Sequence, residues 1–272
     1  MHPFPVPMLD YHIHTRLCNH ADGTMHDYVR QAVSIGLQEI CFLDHLTLAD
    51  RGKNSSMALD EVGLYFQAAQ NLKQAYSDRI AVKVGLETDF DRQHADRYRE
   101  ITQTFAFDVI GSSIHALGAV DVVSGNTDWA CGRLDCDTIY KGYLASLLEM
   151  LDHDYFDVIC HIDLVKKFGH LPQTSYTSQI EKIVDKIKQK NIVVEVNTGG
   201  FTHPAGEPYP GSELIEMLAD AGVGLTMGSD AHRPEELGRY FEQTSDLLQR
   251  LGVNELVAFS RRSRYAVPLT DN

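Results

Sequence analysis

The chain has 272 residues, 43% of them apolar, and carries 38 acidic against 24 basic side chains, a net charge of −14 with histidine neutral. This balance disfavours a nucleic-acid partner, which needs a cationic face, and no apolar run approaches the length of a membrane span. The five cysteines are odd in number with no CxxC pair, so neither a disulfide framework nor a thiolate zinc site is indicated. The first seven residues show no basic stretch followed by an apolar one, and a reducing cytoplasm is the expected setting.

Taken in order, the chain opens with a short strand over residues 8–12, entered from a Pro-rich start. His12 and His14 are two apart and share one face of it. A loop with turn chemistry follows and holds His20. Thr24, with Asp27 three residues on, caps a helix that Gly36 ends. Residues 39–43 form a strand ending in Asp44-His45, which completes a βαβ unit. The pattern then repeats: a helix over 60–75, a strand over 80–86 ending at Glu87, a polar helix over 92–105, and a strand over 108–112 with His115 just beyond. Residues 118–133 read as a long loop, and such loops are often functional. A helix over 138–151 leads to a strand over 156–160 ending at His161. Ser178 and Glu181 have the spacing of a capping box before Ile180, Ile183, Val184 and Ile187. A strand over 192–196 ends at Asn197. Ser212 caps a helix stopped by Gly222, and a strand over 224–227 runs into Gly228-Ser229-Asp230-Ala231-His232. Pro234 suits the first turn of a last long helix, and the tail from Arg261 is basic and then polar.

Seven strands alternating with helices predict an α/β barrel of parallel strands in one domain over residues 1–272. An open doubly wound sheet shares the same connectivity. His12, His14, His20, His45, Glu87, His115, His161, Asp230 and His232 stand at or just past six of the seven strand ends, which a barrel brings to one face. Imidazole with carboxylate and no thiolate suits zinc, manganese or iron. Nine ligands exceed what one ion uses, so two or three divalent ions are expected. His26, His94 and His153 fall on helices or their ends and read as surface residues. Arg16 reads as a substrate contact or a charge offset, Asn197 as a ligand orienter or a turn former, and Trp129 as a lid or a core cover.

Several segments resemble the PHP (polymerase and histidinol phosphatase) family, in particular its histidinol-phosphate phosphatase branch. They are Asp10-Tyr11-His12-Ile13-His14-Thr15, Cys18-Asn19-His20-Ala21-Asp22-Gly23, Leu43-Asp44-His45, Gly85-Leu86-Glu87, Gly111-Ser112-Ser113-Ile114-His115, Cys160-His161-Ile162-Asp163-Leu164 and Gly228-Ser229-Asp230-Ala231-His232. The branch is indicated by residues 161–169 and 195–200. The resemblance implies a distorted barrel of seven βα units with a trinuclear centre. His12, His14, Glu87 and Asp230 would hold one ion; Glu87, His115 and His161 a second; His20, His45 and His232 a third. It also implies hydrolysis of a small phosphate monoester, histidinol phosphate of histidine biosynthesis, by metal-activated water. Lys166 or Lys167 would meet the phosphoryl group, and Asp44 and Asp163 would orient ligand histidines. Asp230, His203 or bound water would protonate the leaving alkoxide. The sequence departs from the family where an arginine often follows the Asn-Thr-x-Gly turn: Phe201-Thr202-His203-Pro204 stands there, and His203 is the candidate replacement. Asp89, Asp91, Asp121, Asp128 and Glu207 are expected near the cleft, where they would favour a substrate ammonium. Two alternatives are a phosphoesterase acting on another monoester or nucleotide, and a non-catalytic metal-binding module. The sequence does not address oligomeric state.

Overall fold

The computed structural model describes residues 9–269. Met8, expected in the first strand, lies outside them. The barrel is built from β1 (Leu9–Ile13), β2 (Glu39–Leu46), β3 (Ala81–Asp89), β4 (Val109–Ser113), β7 (Val158–Ile159), β8 (Val193–Asn197) and β9 (Leu225–Gly228). A small hairpin, β5 (Ala116–Leu117) and β6 (Val120–Asp121), follows β4. The seven strands pair in parallel in the order β1-β2-β3-β4-β7-β8-β9. Between them run α1 (Met25–Ile35), α2 (Val62–Ala75), α3 (Ala95–Thr104), α4 (Cys136–Met150), α5 (Thr177–Lys190) and α6 (Ser212–Asp220). Apolar runs such as Ile40-Cys41-Phe42-Leu43 and Val193-Val194 are buried, as parallel strands covered on both faces require. The first barrel strand is bridged to the loop after the last at Ile13 and Ala231, where His14 N–H donates to Ala231 O at 3.0 Å and Ala231 N–H to His12 O at 3.2 Å. This seam nearly closes the cylinder and rules out the open sheet.

The local chemistry follows expectation in α1, where Thr24 and Asp27 form a reciprocal capping box and Gly36 adopts the left-handed conformation. It departs elsewhere. Residues 59–61 form a separate 3-10 turn before α2. Ser178 and Glu181 do not cap α5, which begins at Thr177, one residue ahead of the expected cap. Pro234 opens a 3-10 turn over Pro234–Glu236, and the last helix is a separate α7 (Phe241–Arg250). The tail, read only as basic and then polar, has regular structure. It forms an antiparallel hairpin of β10 (Glu255–Ser260) and β11 (Ser263–Pro268).

Candidate metal centre

The C-terminal ends of the barrel strands bring all nine expected ligand residues together. His12 and His14 leave β1 fully buried. Their backbone is fixed from below by Asp10, whose carboxylate accepts Ser229 N–H at 2.9 Å and Gly238 N–H at 3.2 Å, tying β1 to the loop after β9. His12 Nδ1–H donates to Glu195 Oε1 at 2.6 Å, which fixes the tautomer and turns Nε2 toward Glu87 Oε2 at 3.3 Å. His14 is held the same way by Asp44 Oδ1 at 3.2 Å and directs Nε2 to Asp230 Oδ1 at 2.9 Å. Asp44 is fixed in turn by the Thr15 hydroxyl and by Thr15 N–H at 3.1 Å.

Glu87, at the end of β3, is the hub. His45 Nδ1 lies 2.7 Å from its Oε2; His161 Nε2 lies 2.8 Å and His115 Nε2 3.5 Å from its Oε1. The Ser113 hydroxyl also donates to Oε1. Burial alone would raise the Glu87 carboxyl, but His45, His12 and His115 hold it well below the usual carboxylate range. Asp230 is likewise ionised, because His12 and His14 outweigh its burial. It takes the left-handed conformation at φ 55°, which an aspartate tolerates better than most residues and which carries strain to the site. On the outer side, His20 Nδ1–H donates to Cys18 O at 2.7 Å and His232 Nδ1–H to Asp230 O at 3.1 Å. Their Nε2 lone pairs then face each other at 2.9 Å. Burial, with the neighbouring His14, lowers His232 to about 2, and burial foremost takes His45 to about 4, so both rings are neutral at pH 7.

A divalent ion fits this donor set on the structure's own terms. His12 Nε2 and Glu87 Oε2 are buried, and their close contacts with each other and with His45 miss hydrogen-bond geometry, a costly state that a cation would relieve. Two lone pairs converging at the His20–His232 contact call for a cation in the same way. His45 and His232 are already in the neutral form that metal binding needs, while the neighbouring carboxylates raise His12, His14 and His115, whose protons an incoming cation would displace.

Other expectations are met unevenly. Lys166 does not face the site: its Nζ is bound by Asp163 Oδ2 and Glu207 Oε1, each at 2.8 Å, and donates to Pro208 O at 3.0 Å. Asp163 therefore orients no histidine, and Glu207 is taken up by Lys166. Lys167 and His203 do line a cavity of about 490 Å³ above the centre, within the range of small-ligand sites. Burial and then Lys167 lower His203 to about 4, so it is neutral at pH 7 and stores no acidic proton. Of the five expected cleft carboxylates, Asp89 and Asp121 line the cavity, and Asp91 and Asp128 do not. Arg16 is exposed away from it, and Trp129 is fully buried against His170, a core cover and not a lid. Asn197 plays both expected parts: Oδ1 accepts Gly199 N–H at 2.9 Å, and Nδ2 donates at 3.2 Å to both Glu195 and Asp230.

Sequence reading missed two further residues. Glu195 sits inside an apolar strand, and a charge at such a position demands a buried partner; that was its available signal. Gly228 makes room for it, since a Cβ there would collide with both Glu195 Oε1 and the His12 side chain. Arg239 also lines the cavity, and nothing local in the sequence distinguishes it from a surface arginine.

Parallel strands that gather imidazoles and carboxylates at one barrel mouth define a metal-dependent barrel class. The PHP domain matches residues 10–199, and the chain belongs to that family. It is 31% identical to a probable histidinol-phosphatase of Deinococcus radiodurans over 94% of this chain and 97% of that protein. It is 26% identical to the histidinol-phosphatase of Lactococcus lactis over 93% and 94% of the two chains. The crystal structure of histidinol phosphate phosphatase from Lactococcus lactis, complexed with zinc, L-histidinol and phosphate, superposes with a TM-score of 0.82 at 24% identity, covering 94% and 98% of the chains. That likeness establishes the fold.

Proposed function

We propose that the chain is a metal-dependent histidinol-phosphatase, a phosphoric monoester hydrolase that releases phosphate from L-histidinol phosphate. The observation that carries the chemistry is the Glu87 hub, a buried carboxylate met by histidines from four strand ends, with Oε2 and His12 Nε2 left without a hydrogen bond. Near-full-length similarity to histidinol-phosphatases supports the substrate.

His12, His14, Glu87 and Asp230 would hold one ion, His115 and His161 with Glu87 a second, and His20, His45 and His232 a third. Zinc, manganese or iron suits these donors better than magnesium. When bound, the ions supply Lewis-acid charge to the phosphoryl oxygens and lower the pKa of water. The protein's own part is to fix the donors. Glu195 and Asp44 lock the tautomers of His12 and His14, and Glu87, fully buried, and Asp230, part-exposed at the cavity, both remain charged. Lys167 presents an ammonium to the cavity. Asp89, Asp121 and Glu236 line the same cavity and suit the substrate's ammonium. His203 serves there as a neutral hydrogen-bonding group. Residues 1–272 would act as one barrel domain, supported by one continuous apolar core among the described residues. Cytoplasmic placement is part of the same reading: all five cysteines are free, and no helix among the described residues is long and apolar enough to cross a membrane.

The test is phosphate release by protein stripped with a chelator and then reloaded. Zinc or manganese should restore turnover of histidinol phosphate, and magnesium should restore less. Release from another monoester with histidinol phosphate at background would overturn the substrate. No release from any ester in the presence of zinc, manganese or iron would overturn the enzyme and favour a non-catalytic metal module.

A further inference from the structure

Besides the expected ligand histidines, four nitrogen-bearing side chains from four separate loops line the cavity: Arg51, Lys167, His203 and Arg239. Arg239 is the most constrained of them. Its guanidinium folds back against the loop after β9, donating from Nε to Ser229 O at 2.9 Å and from Nη2 to Asp230 O at 3.0 Å. A guanidinium carries five N–H groups in one plane. Two bonds to backbone therefore hold its orientation and leave three N–H groups for another partner. Glu236 Oε1 stands 3.6 Å from Nη1, beyond hydrogen-bond distance. The other Glu236 oxygen is taken by His232 N–H at 2.8 Å and Arg233 N–H at 3.2 Å. On its far side the guanidinium packs on Gly199, where an added Cβ would stand 3.0 Å from Nη2. The fold thus spends two carbonyls and a glycine on presenting a fixed, incompletely bonded fork at the cavity. Lys167 Nζ, on the same cavity, makes no ion pair among the described residues and stands 5.8 Å from the Phe168 ring centre.

We propose that Arg239 is a substrate-binding residue whose free Nη1 and Nη2 N–H groups grip the phosphoryl oxygens of the ester, with Lys167 as the second cation. The assignment rests on the phosphomonoesterase reading above and adds the residue that sets phosphate affinity. A planar fork matches two oxygens of a tetrahedral phosphate, and its backbone bonds prepay the ordering of a long side chain. The ammonium of Lys167 supplies charge without that directionality. Because the phosphoryl group is common to every monoester, the grip acts on affinity for phosphate and not on choice of alcohol.

The probe is inorganic phosphate, titrated calorimetrically into metal-loaded protein. In Arg239→Gln, phosphate affinity should fall on the order of tenfold to a hundredfold, the usual worth of a charged hydrogen bond. KM for histidinol phosphate and for an aryl phosphate should rise by the same factor, with metal content equal to wild type. Phosphate affinity within twofold of wild type at full metal content would overturn the assignment and leave Arg239 as a backbone latch for the Asp230 loop. If Arg239→Gln loses metal, the wild-type holoenzyme decides through modification by phenylglyoxal, mapped by mass spectrometry. Phosphate should slow modification of Arg239 at least severalfold, and an unchanged rate would overturn the proposal. Should the wild-type protein hydrolyse neither ester, the activity reading fails, and the phosphate titration still judges Arg239.

Discussion

Glu87 and Glu195 are both buried carboxylates beside His12, yet they should fail differently when neutralised. Glu87→Gln removes the charge that several imidazoles share, and we expect loss of at least two equivalents of metal with nearly all turnover, read by elemental analysis of protein purified without chelator. Full metal content with normal turnover would remove the multinuclear centre. Glu195→Gln keeps the shape and some hydrogen bonding but weakens the anchor on His12 Nδ1. Metal affinity, measured by competition with a chromophoric chelator, should fall about 10- to 100-fold, with the folded state retained. The two residues also differ in how plainly the sequence showed them. Glu87 closes a strand beside histidines that close others, and that repeated position marks it. Glu195 lies inside a strand, and its partner is 183 residues away, so no local spacing reveals which group it serves. Lys166 and Lys167 show the converse limit. Adjacent lysines are equivalent in sequence, and only the packing of Asp163 and Glu207 against the first leaves the second for the cavity.

The hairpin of β10 and β11 was hidden for a different reason. Its two turn residues, Arg261 and Arg262, both have positive φ, 48° and 63°, where tight hairpins normally use Asn or Gly. Tertiary contacts supply what the turn chemistry lacks. Arg262 N–H donates to Asp108 O at 2.8 Å, and the Arg262 guanidinium bonds both Asp157 oxygens and Tyr155 O. Asp157 in turn accepts Ile110 N–H at 2.9 Å, so the hairpin is pinned to the N-terminal ends of β4 and β7, opposite the metal centre. Arg262→Ala should cost about 2 kcal/mol through the charged bonds it removes. For a chain of this size that is a fall in Tm of roughly 3–4 °C, measurable by calorimetry on the loaded protein, with KM unchanged. A change in KM would mean that the two ends of the barrel are not independent. The barrel strands themselves were legible because each apolar run is followed by a chemically distinctive residue. The helix starts were less so, since Ser178 and Glu181 match a capping motif at a place where the helix has already begun.

At the level of the complete barrel, net charge and site composition pull in opposite directions. A surface of −14 repels polyanions, while the cavity offers Arg51, Lys167, Arg239 and the ions its proposed ligands would hold. A monoester with a cationic alcohol satisfies both; a nucleotide satisfies only the second. We expect kcat/KM for histidinol phosphate to exceed that for nucleoside monophosphates and sugar phosphates, with the gap over nucleotides shrinking as salt is raised. A ranking that puts a nucleotide first would keep the chemistry and discard the charge argument. The barrel class was readable from the alternation of elements, but closure was not, because it depends on the bridge between β1 and the loop after β9, where Asp10 meets Ser229 from 219 residues away.

That bridge has a temporal side. Asp10, His12 and His14 leave the ribosome more than two hundred residues before Ser229, Asp230 and Ala231, the groups that complete their surroundings. Until then Asp10 lacks the N–H groups of Ser229 and Gly238 and His14 lacks Asp230, although Asp44, Glu87 and Glu195 are already present and five of seven strand ends can offer ligands. A barrel whose first and last strands share one centre is slow to close, because contacts distant in sequence must form after the loop between them is ordered. An ion captured early by His12, His14 and Glu87 would therefore sit in an unfinished site, and full loading belongs to the finished chain. Of the proposed ligands, Asp230 and His232 are the last to be synthesised, so a full donor set would exist only once the loop after β9 has met β1.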